Sequence, residues 1–574
     1  MTKLSLRSTY YRYLVMTAVF IMPLAGCQHL PTVAHLPASQ ALNERIAAIY
    51  QSKPPLDNNQ TADNGLAVQI ERQLKTENGL ATKPTAAPAM SEALANYDLA
   101  ASISEQNEIH PDLSGYHPLV TGANAFAARS ILTGMAKKHI DVQYYIWHND
   151  QAGQLLLKDL WEAAERGVMV RLLLDDFNNS AKFDQHLIRF ASHPNIAVRI
   201  INPLMHRKFQ TLNYITGLPR INRRMHNKSM TFDRQITIIG GRNIGNEYLS
   251  NDQNSQFADL DVLLIGRVVD DISNSFNSYW SSNLAYDIET LVSPSTNKDF
   301  LTSLDKINGD ENSEPRSSLS LYKAAIEDSS IDTDLINKHV PFRWTDMHFL
   351  SDDVGKLSNT AAPSTHLVHQ LRTLLGTPND KLTIISSYFV PTKDGVAALV
   401  KLANKGVKIR ILTNSFHATD VTAVHSGYSQ WRPVLLKAGI KIYELKATAS
   451  EEDRENKLWR ARSQSSTSLH AKTFAVDDHQ VFIGSYNVDP RSANINTEMG
   501  VVINDSELAS QLHKALDDSL LTQAYEVLLT DQGKLQWKTI ENSKVVVYDS
   551  EPKLEWSDHI WLSIMSWLPI DWLL

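Results

Sequence analysis

From residue 116 to about residue 525, short apolar runs alternate with longer two-faced stretches, the pattern of strands alternating with amphipathic helices. The order of these elements recurs. Ile140-Asp141-Val142-Gln143-Tyr144-Tyr145-Ile146-Trp147 is a β-rich run after an amphipathic stretch, and Leu382-Thr383-Ile384-Ile385-Ser386-Ser387-Tyr388-Phe389 occupies the same place later. Next come Arg166-Gly167-Val168-Met169-Val170-Arg171-Leu172-Leu173-Leu174 and Lys405-Gly406-Val407-Lys408-Ile409-Arg410-Ile411-Leu412-Thr413. In each, a helix is predicted to end at the glycine, whose freedom at positive φ suits a C-cap, and a buried strand follows. Third strands are predicted at Ile196 to Ile201 and Ile440 to Leu445. The fold class read from this layout is α/β: two α/β sandwich domains in one chain, packed about a pseudo-two-fold axis.

The first domain is placed at 116–345, with a polar insertion at about 290–345 that includes Asn308 to Ser318, and the second at 346–525. Residues 28–115 are rich in Ala, Pro, Gln, Thr and Asn and read as a tether, with short helices at Ala41 to Gln51 and Gly65 to Lys75. In 526–574, a strand pair at Leu535 to Thr539 and Lys544 to Tyr548 precedes a tail holding Trp556, Trp561, Trp567 and Trp572. Trp556, Ile560, Ile564 and Trp567 recur at helical spacing. Such a tail either lies in a membrane interface or straps onto the protein's own surface, and Pro569 argues against a straight spanning helix.

Lys3, Arg7 and Arg12, then an apolar run from Tyr13 to Ala25, then Leu24-Ala25-Gly26-Cys27, make residues 1–27 a targeting segment. Its end resembles the lipobox of bacterial lipoproteins, which implies a signal peptide cleaved before an acylated Cys27. Cys27 is the sole cysteine, so an attachment point explains it better than a disulfide or a metal site. An uncleaved membrane anchor is the other reading. Gln28 resembles lipoproteins sent to the outer membrane, although inner and outer membranes both stay open. Over the 574 residues, 43% hydrophobic and 21% charged content is that of a globular protein, and a net charge of −8 excludes gripping nucleic acid by overall charge.

The chemistry is carried by one pattern that occurs twice. His226-Asn227-Lys228 continues to Asp233 and then, through an apolar run, to Gly240-Gly241-Arg242-Asn243; His470-Ala471-Lys472 continues to Asp477 and Gly484-Ser485-Tyr486-Asn487. Both copies read HxKxxxxD, within about 220–247 and 464–491, and in both the Asn follows the Lys by 15 residues. In an extended chain, i and i+2 share a face, so HxK aims an imidazole and an ammonium at one spot. Two such pairs brought together would surround one phosphate, with Asn243 and Asn487 adding amide donors. With the lysines supplying charge, no divalent metal or other cofactor is required, and no metal-ligand motif is present. Asp233 and Asp477 fall at turns and are read as stabilising them. Asp259, with Asp261 as a close competitor, and Glu498 are the candidates for orienting the imidazoles. The basic positions His206, Arg207, Lys208, Arg220, Arg223 and Arg224 would attract an anionic substrate to the site, or, for the first three above all, stand on a solvated loop.

Paired HxKxxxxD motifs over residues 116 to 525 resemble the phospholipase D superfamily. Val142 to Trp147, Arg223 to Ser229, Gly240 to Gly245, Ile385 to Pro391, Gly406 to Ser415 and Asp489 to Ser492 resemble its bacterial cardiolipin synthase C branch. The resemblance implies a membrane-bound phosphatidyltransferase that forms cardiolipin from phosphatidylglycerol and a second phospholipid, phosphatidylethanolamine or phosphatidylglycerol. The route implied is a phosphatidyl-histidine intermediate, with one histidine as nucleophile and the other as acid. The partners implied are membrane phospholipids, with no nucleic acid; the lipobox and long tether, which depart from that branch, are what point to a lipid-anchored protein of the bacterial cell envelope facing the periplasm. Hydrolytic phospholipase D activity and metal-independent nuclease activity are the alternatives from the same superfamily.

Overall fold

The computed structural model describes residues 37–51 and 99–554, less 178–179, 208–212, 214–217, 250–255, 294–298, 305–315, 328, 330, 332–333, 335–339, 420, 448–466, 517 and 553. The lipobox with Cys27, the helix predicted at Gly65 to Lys75, Lys208 and the tryptophan-rich tail lie outside the described residues.

Two large mixed sheets form the protein. The first has nine strands, in the order Arg343–Thr345, Ser114–Leu119, Asp261–Gly266, Ile236–Gly240, Ser229–Phe232, His139–Tyr144, Met169–Asp175, Ile196–Ile201 and Ala285–Asp287. The second has ten: Met347–Ser351, Met499–Asn504, Gln480–Gly484, Lys472–Val476, Lys381–Ser386, Lys408–Asn414, Lys441–Leu445, Ala524–Leu529, Leu535–Glu541 and Lys544–Tyr548. From Ser114–Leu119 and Met347–Ser351 onward the two orders correspond strand for strand. In each sheet three neighbouring strands run parallel and the others antiparallel. The parallel trio of the first sheet is buried at every position, because helices cover one face and the rest of the molecule the other.

Local chemistry sets the elements in the same way in both halves. Asp150 and Thr392 cap equivalent helices, Gln151–Glu165 and Lys393–Asn404, each accepting from the backbone N–H of a glycine, Gly153 or Gly395, at 3.1 Å. Those helices end at Gly167 and Gly406, whose φ values of 94° and 99° place them in the left-handed region. The chain crosses from one sheet to the other at Asp346, since Arg343–Thr345 pairs with the first sheet and Met347–Ser351 with the second.

The halves share a core. Tyr116, Ile239, Val262, Leu264 and Ile272 from the first pack with Val481, Ile483, Met499, Val501 and Ile503 from the second in one buried apolar cluster. Such a seam holds two lobes as one rigid scaffold, whereas a wet polar interface would let them move.

The stretch read as a tether contributes structure of its own. Helix Pro37–Gln51 buries Leu42 and Ile46 against Trp280 and Leu357, and its Asn43 accepts from Trp280 Nε1 at 2.9 Å. Helix Leu99–Ile109 buries Leu99 and Ile103 in the main core of the first half. Their sequences lack strong periodicity, and it is the apolar surface they land on that orders them. The polar insertion is likewise partly support: helix Arg316–Glu327 places Tyr322 against Phe126, with ring centroids 4.4 Å apart.

Asp233 and Asp477 sit at the hairpin turns, with φ of 51° and 49°. The carboxylate of Asp233 accepts from the backbone N–H groups of Lys137, Lys138 and His139 at 2.9, 2.8 and 2.9 Å, which moors the start of the neighbouring strand. Asp477 does the same for Asn379, Asp380 and Lys381. Asp233→Ala leaves three N–H groups without that acceptor and is expected to cost about 2–4 kcal/mol, read as a lower urea midpoint. Asp477→Ala, at a more open turn, is expected to cost less.

Candidate active site

Two short parallel contacts between the halves build the site. Strand Gln256–Ala258 pairs with Thr467–Leu469, with Ala258 opposite Leu469, so the next residues, Asp259 and His470, stand side by side. Met225 bridges Thr497 in the same parallel sense, which puts His226 beside Glu498. The His226 backbone N–H donates to Thr497 O at 2.9 Å. The carboxylates therefore cross over. His226 Nδ1 lies 2.8 Å from Glu498 Oε2, and His470 Nδ1 lies 2.6 Å from Asp259 Oδ2. This reciprocity, in which each half orients the other's histidine, is what a two-fold relation produces. Asp261 is spoken for elsewhere: its carboxylate pairs with Arg129 at 2.8 Å and accepts from the Arg242 backbone N–H.

With Nδ1 bound to a carboxylate, Nε2 is the ring nitrogen left to face a substrate on each histidine. Lys228 and Lys472 are buried and donate to the backbone carbonyls of His226 and His470, Lys228 at 2.8 Å. Asn243 Oδ1 accepts from Ile146 N–H at 3.3 Å and Asn487 Oδ1 from Ser387 Oγ at 2.8 Å. Anchoring the amide oxygens this way turns their NH2 groups outward as donors.

The electrostatics tie the two motifs to one place. The His226 imidazole is held well below its usual pKa by burial and by the charges of Lys228, Lys472 and Arg491. Burial and Lys472 lower His470 to about 4, against the pull of Asp259, and Lys228 acts on it too. Each imidazole thus feels the lysines of both halves. Lys228 is lowered to about 7, first by burial and then by Lys472, with Glu498 opposing. Glu498 is raised to about 7 by burial, with Lys228 opposing, while Asp259 falls to about 2 because the hydrogen bond and charge of His470 outweigh its burial. Two buried ammonium groups that act on both imidazoles make this a site that binds an anion.

The two halves differ at one position in a way the carboxylates register. A Cβ built on Gly241 would lie 2.2 Å from Asp259 Oδ1, so only glycine leaves room for that carboxylate. The corresponding residue is Ser485, whose Oγ donates to Glu498 Oε2, the oxygen that also meets His226. Gly241→Ala is expected to push Asp259 off His470 and lower turnover about 10–100-fold with the fold retained, checked by steady-state rates beside far-ultraviolet circular dichroism.

Several residues of the site lie outside the repeated motif. Tyr145 meets His226 edge-on, with centroids 4.8 Å apart, and Lys228 Nζ lies 5.5 Å from its ring centre. Tyr248 meets His470 in the same way at 5.1 Å. Arg491 donates to Asn222 across the halves at 2.6 Å. Gly241 and Ser485 could have been found by aligning the two motif copies, and Tyr145 and Arg491 lie in stretches that carry the family resemblance, Val142 to Trp147 and Asp489 to Ser492.

The basic run is not a free cationic surface. Arg207 is clamped by Asp176 and Asp184, Arg224 is buried on Asp175 at 3.1 Å, and Arg223 donates to Lys356 O and Asn359 at 3.0 Å. Arg220 donates to Asn202 Oδ1 at 2.6 Å. For Arg207 and Arg224 the charge was legible but not the partners, Asp176, Asp184 and Asp175, that the fold brings to it, whereas Arg220 and Arg223 are held by neutral groups. At the histidines themselves the positive charge comes from Lys228, Lys472 and Arg491.

Comparison with known proteins agrees with this site. The family model described as "Cardiolipin synthase, PLD-like domain" matches twice, over residues 132–280 and 371–520. The chain is 40% identical over 476 residues to cardiolipin synthase C of Escherichia coli strain K12, covering 83% of this chain and 99% of that protein. It is 24% identical over 431 residues to cardiolipin synthase B of the same strain, covering 74% and 85%. In fold it is similar to phosphatidylserine synthase of Haemophilus influenzae Rd KW20, with a TM-score of 0.52, 15% identity, and 82% and 98% of the two chains covered. Two HxK motifs converging with crossed carboxylates, and matches that span most of the chain, make this protein a member of the phospholipase D-like cardiolipin synthase family and a phospholipase D-type phosphatidyltransferase.

Proposed function

We propose that this phosphatidyltransferase forms cardiolipin, joining phosphatidylglycerol to a second phospholipid, phosphatidylethanolamine or phosphatidylglycerol, through a phosphatidyl-histidine intermediate. The observation that carries the reading is the crossed pair of histidine–carboxylate contacts, which leaves two Nε2 atoms and two lysines for one phosphodiester. It is supported by the likeness to cardiolipin synthase C over nearly the whole of that protein.

In this reading His226 Nε2 attacks phosphorus. The bond from phosphorus to the headgroup oxygen breaks, and His470 delivers its Nε2 proton to the departing alcohol. His470 then takes the proton of an incoming glycerol hydroxyl, whose oxygen displaces His226 and forms the new phosphodiester. Lys228, Lys472 and the amide donors of Asn243 and Asn487 hold the non-bridging oxygens, whose charge is greatest in the transition state. The asymmetry of the carboxylates supports this direction. Ionised Asp259 pulls His470 toward protonation against the burial and Lys472 that lower it, and a bound phosphodiester anion offsets that lysine, whereas burial, Lys228 and Lys472 hold His226 neutral and nucleophilic. Exchange of one phosphodiester for another needs no activated donor. That suits an exported protein held at the membrane through an acylated Cys27.

The test incubates purified protein with radiolabelled phosphatidylglycerol in vesicles, with and without phosphatidylethanolamine, and separates the lipids. Labelled cardiolipin with release of the headgroup alcohol is expected. Phosphatidic acid without cardiolipin would replace the reading with hydrolysis, and cleavage of DNA abolished by His470→Ala would replace it with a nuclease.

A further inference from the structure

The second half contains a cavity of about 580 Å³, outside the catalytic centre, between helix Leu367–Leu375 and helix Lys393–Asn404. That volume is typical of a site for a small ligand. Its floor is apolar, formed by Leu371, Leu382, Ile384 and Leu402. At its walls stand Arg372, Lys401 and Lys405, and none of its lining residues is acidic. No carboxylate pairs with these three cations among the described residues.

The first half shows what this place looks like when it is closed. There the equivalent helices, Gly122–Met135 and Gln151–Glu165, pack on each other, and helix Arg316–Glu327 lies across them with Tyr322 buried. Arg166 clasps them by donating to Thr133 O and Gly134 O at 2.8 and 3.0 Å. Its counterpart Lys405 instead faces the cavity. The floor registers the difference: Leu382 and Ile384 keep 8% and 6% exposure, where the equivalent Ile140 and Val142 have none. Among the described residues, one sheet and one pair of helices are thus sealed by protein in one half and left open, with a cationic wall, in the other.

We infer that this cavity binds an anionic phospholipid, one acyl chain entering the apolar floor and the phosphate resting among Arg372, Lys401 and Lys405. An apolar floor beside three cations that no described carboxylate pairs is complementary to an anionic amphiphile and to neither a neutral lipid nor a soluble anion. The site is separate from the catalytic one but adjoins it, because Tyr486 and Val488, on either side of Asn487, line its inner wall. A lipid bound there sits behind the loop that carries a phosphate-binding amide.

The experiment uses the full chain carrying His226→Ala, so that turnover does not consume the probe, in phosphatidylcholine vesicles containing phosphatidylglycerol with a diazirine on one acyl chain. After photolysis, label is expected on peptides spanning 367–378 and 393–405. It should fall severalfold in Lys401→Glu/Lys405→Glu and in Ala398→Phe, which fills the cavity from an exposed position. Label on those peptides that is unchanged in both variants, or equal labelling by a phosphatidylcholine probe, would overturn the inference. So would cross-links from the cavity to residues 555–574 or to a second copy of the chain, which would identify a protein occupant. Because cardiolipin formation is measured separately on the unsubstituted protein, failure here leaves the proposed reaction standing, and failure of that reaction leaves this site standing.

Discussion

His226→Ala is expected to abolish the covalent lipid adduct and to lower cardiolipin formation roughly 10⁴-fold or more, whereas His470→Ala lowers it comparably but still forms an adduct from one kind of donor. The difference follows from what each ring supplies. His226 lends the electron pair that bonds to phosphorus, and no other group held at the site replaces it. His470 lends a proton to the leaving oxygen, which matters only when that oxygen is a poor leaving group. A donor carrying p-nitrophenol, which departs as an anion without help, bypasses the second role and not the first. His470→Ala should therefore release p-nitrophenolate in a single burst and accumulate an acid-labile phosphatidyl adduct, since the second step still lacks its base. His226→Ala should release none. Reversed behaviour would exchange the two roles and leave the site intact, since the crossed carboxylates give both rings the same geometry.

Much of this site was legible in the chain because it is written twice. Duplication made the HxK pairs stand out, and the hydrophobic pattern placed Ile140–Trp147 and Leu382–Phe389 at corresponding points of two sheets. What the sequence withheld was partnership. Asp259 and Glu498 could be recognised as carboxylates of the right kind, but that each serves the other half's histidine depends on parallel contacts between residues more than 200 positions apart. Part of the basic run was opaque for the same reason: Arg207 and Arg224 read as free charge until Asp176, Asp184 and Asp175 arrive from elsewhere. Helix Leu99–Ile109 was hidden differently, and helix Pro37–Gln51 was read only from Ala41 onward, with no sign of the surface it docks on. A weakly amphipathic segment becomes a helix only where a surface such as that around Trp280 receives it.

Lys228→Met is expected to lower turnover roughly 10²–10³-fold and yet to make the empty protein more resistant to denaturant at pH 7. Burial beside Lys472 brings the Lys228 ammonium down to about 7 from an ordinary 10.5, so the folded state holds this charge against its preference. The sign follows from proton counting. Between about pH 7 and 10.5 the unfolded chain keeps a proton that the folded chain has released, so stability rises with pH across that window. Below pH 7 both states are protonated and the penalty is complete. Methionine, with similar length and no charge, removes it, and a gain of about 1–3 kcal/mol is expected near pH 7, shrinking toward zero by about pH 10.5. The same charge explains its use. A phosphodiester entering the site meets an ammonium that has lost its water, and the anion restores the lysine's affinity for its proton. The basic limb of kcat/KM, which reports the free enzyme, should then fall near pH 7, whereas that of kcat lies higher. Urea midpoints of the two proteins at pH 7 and pH 10 test the linkage directly: a difference that stays constant between those values would show that Lys228 is not charged against its preference in the folded state.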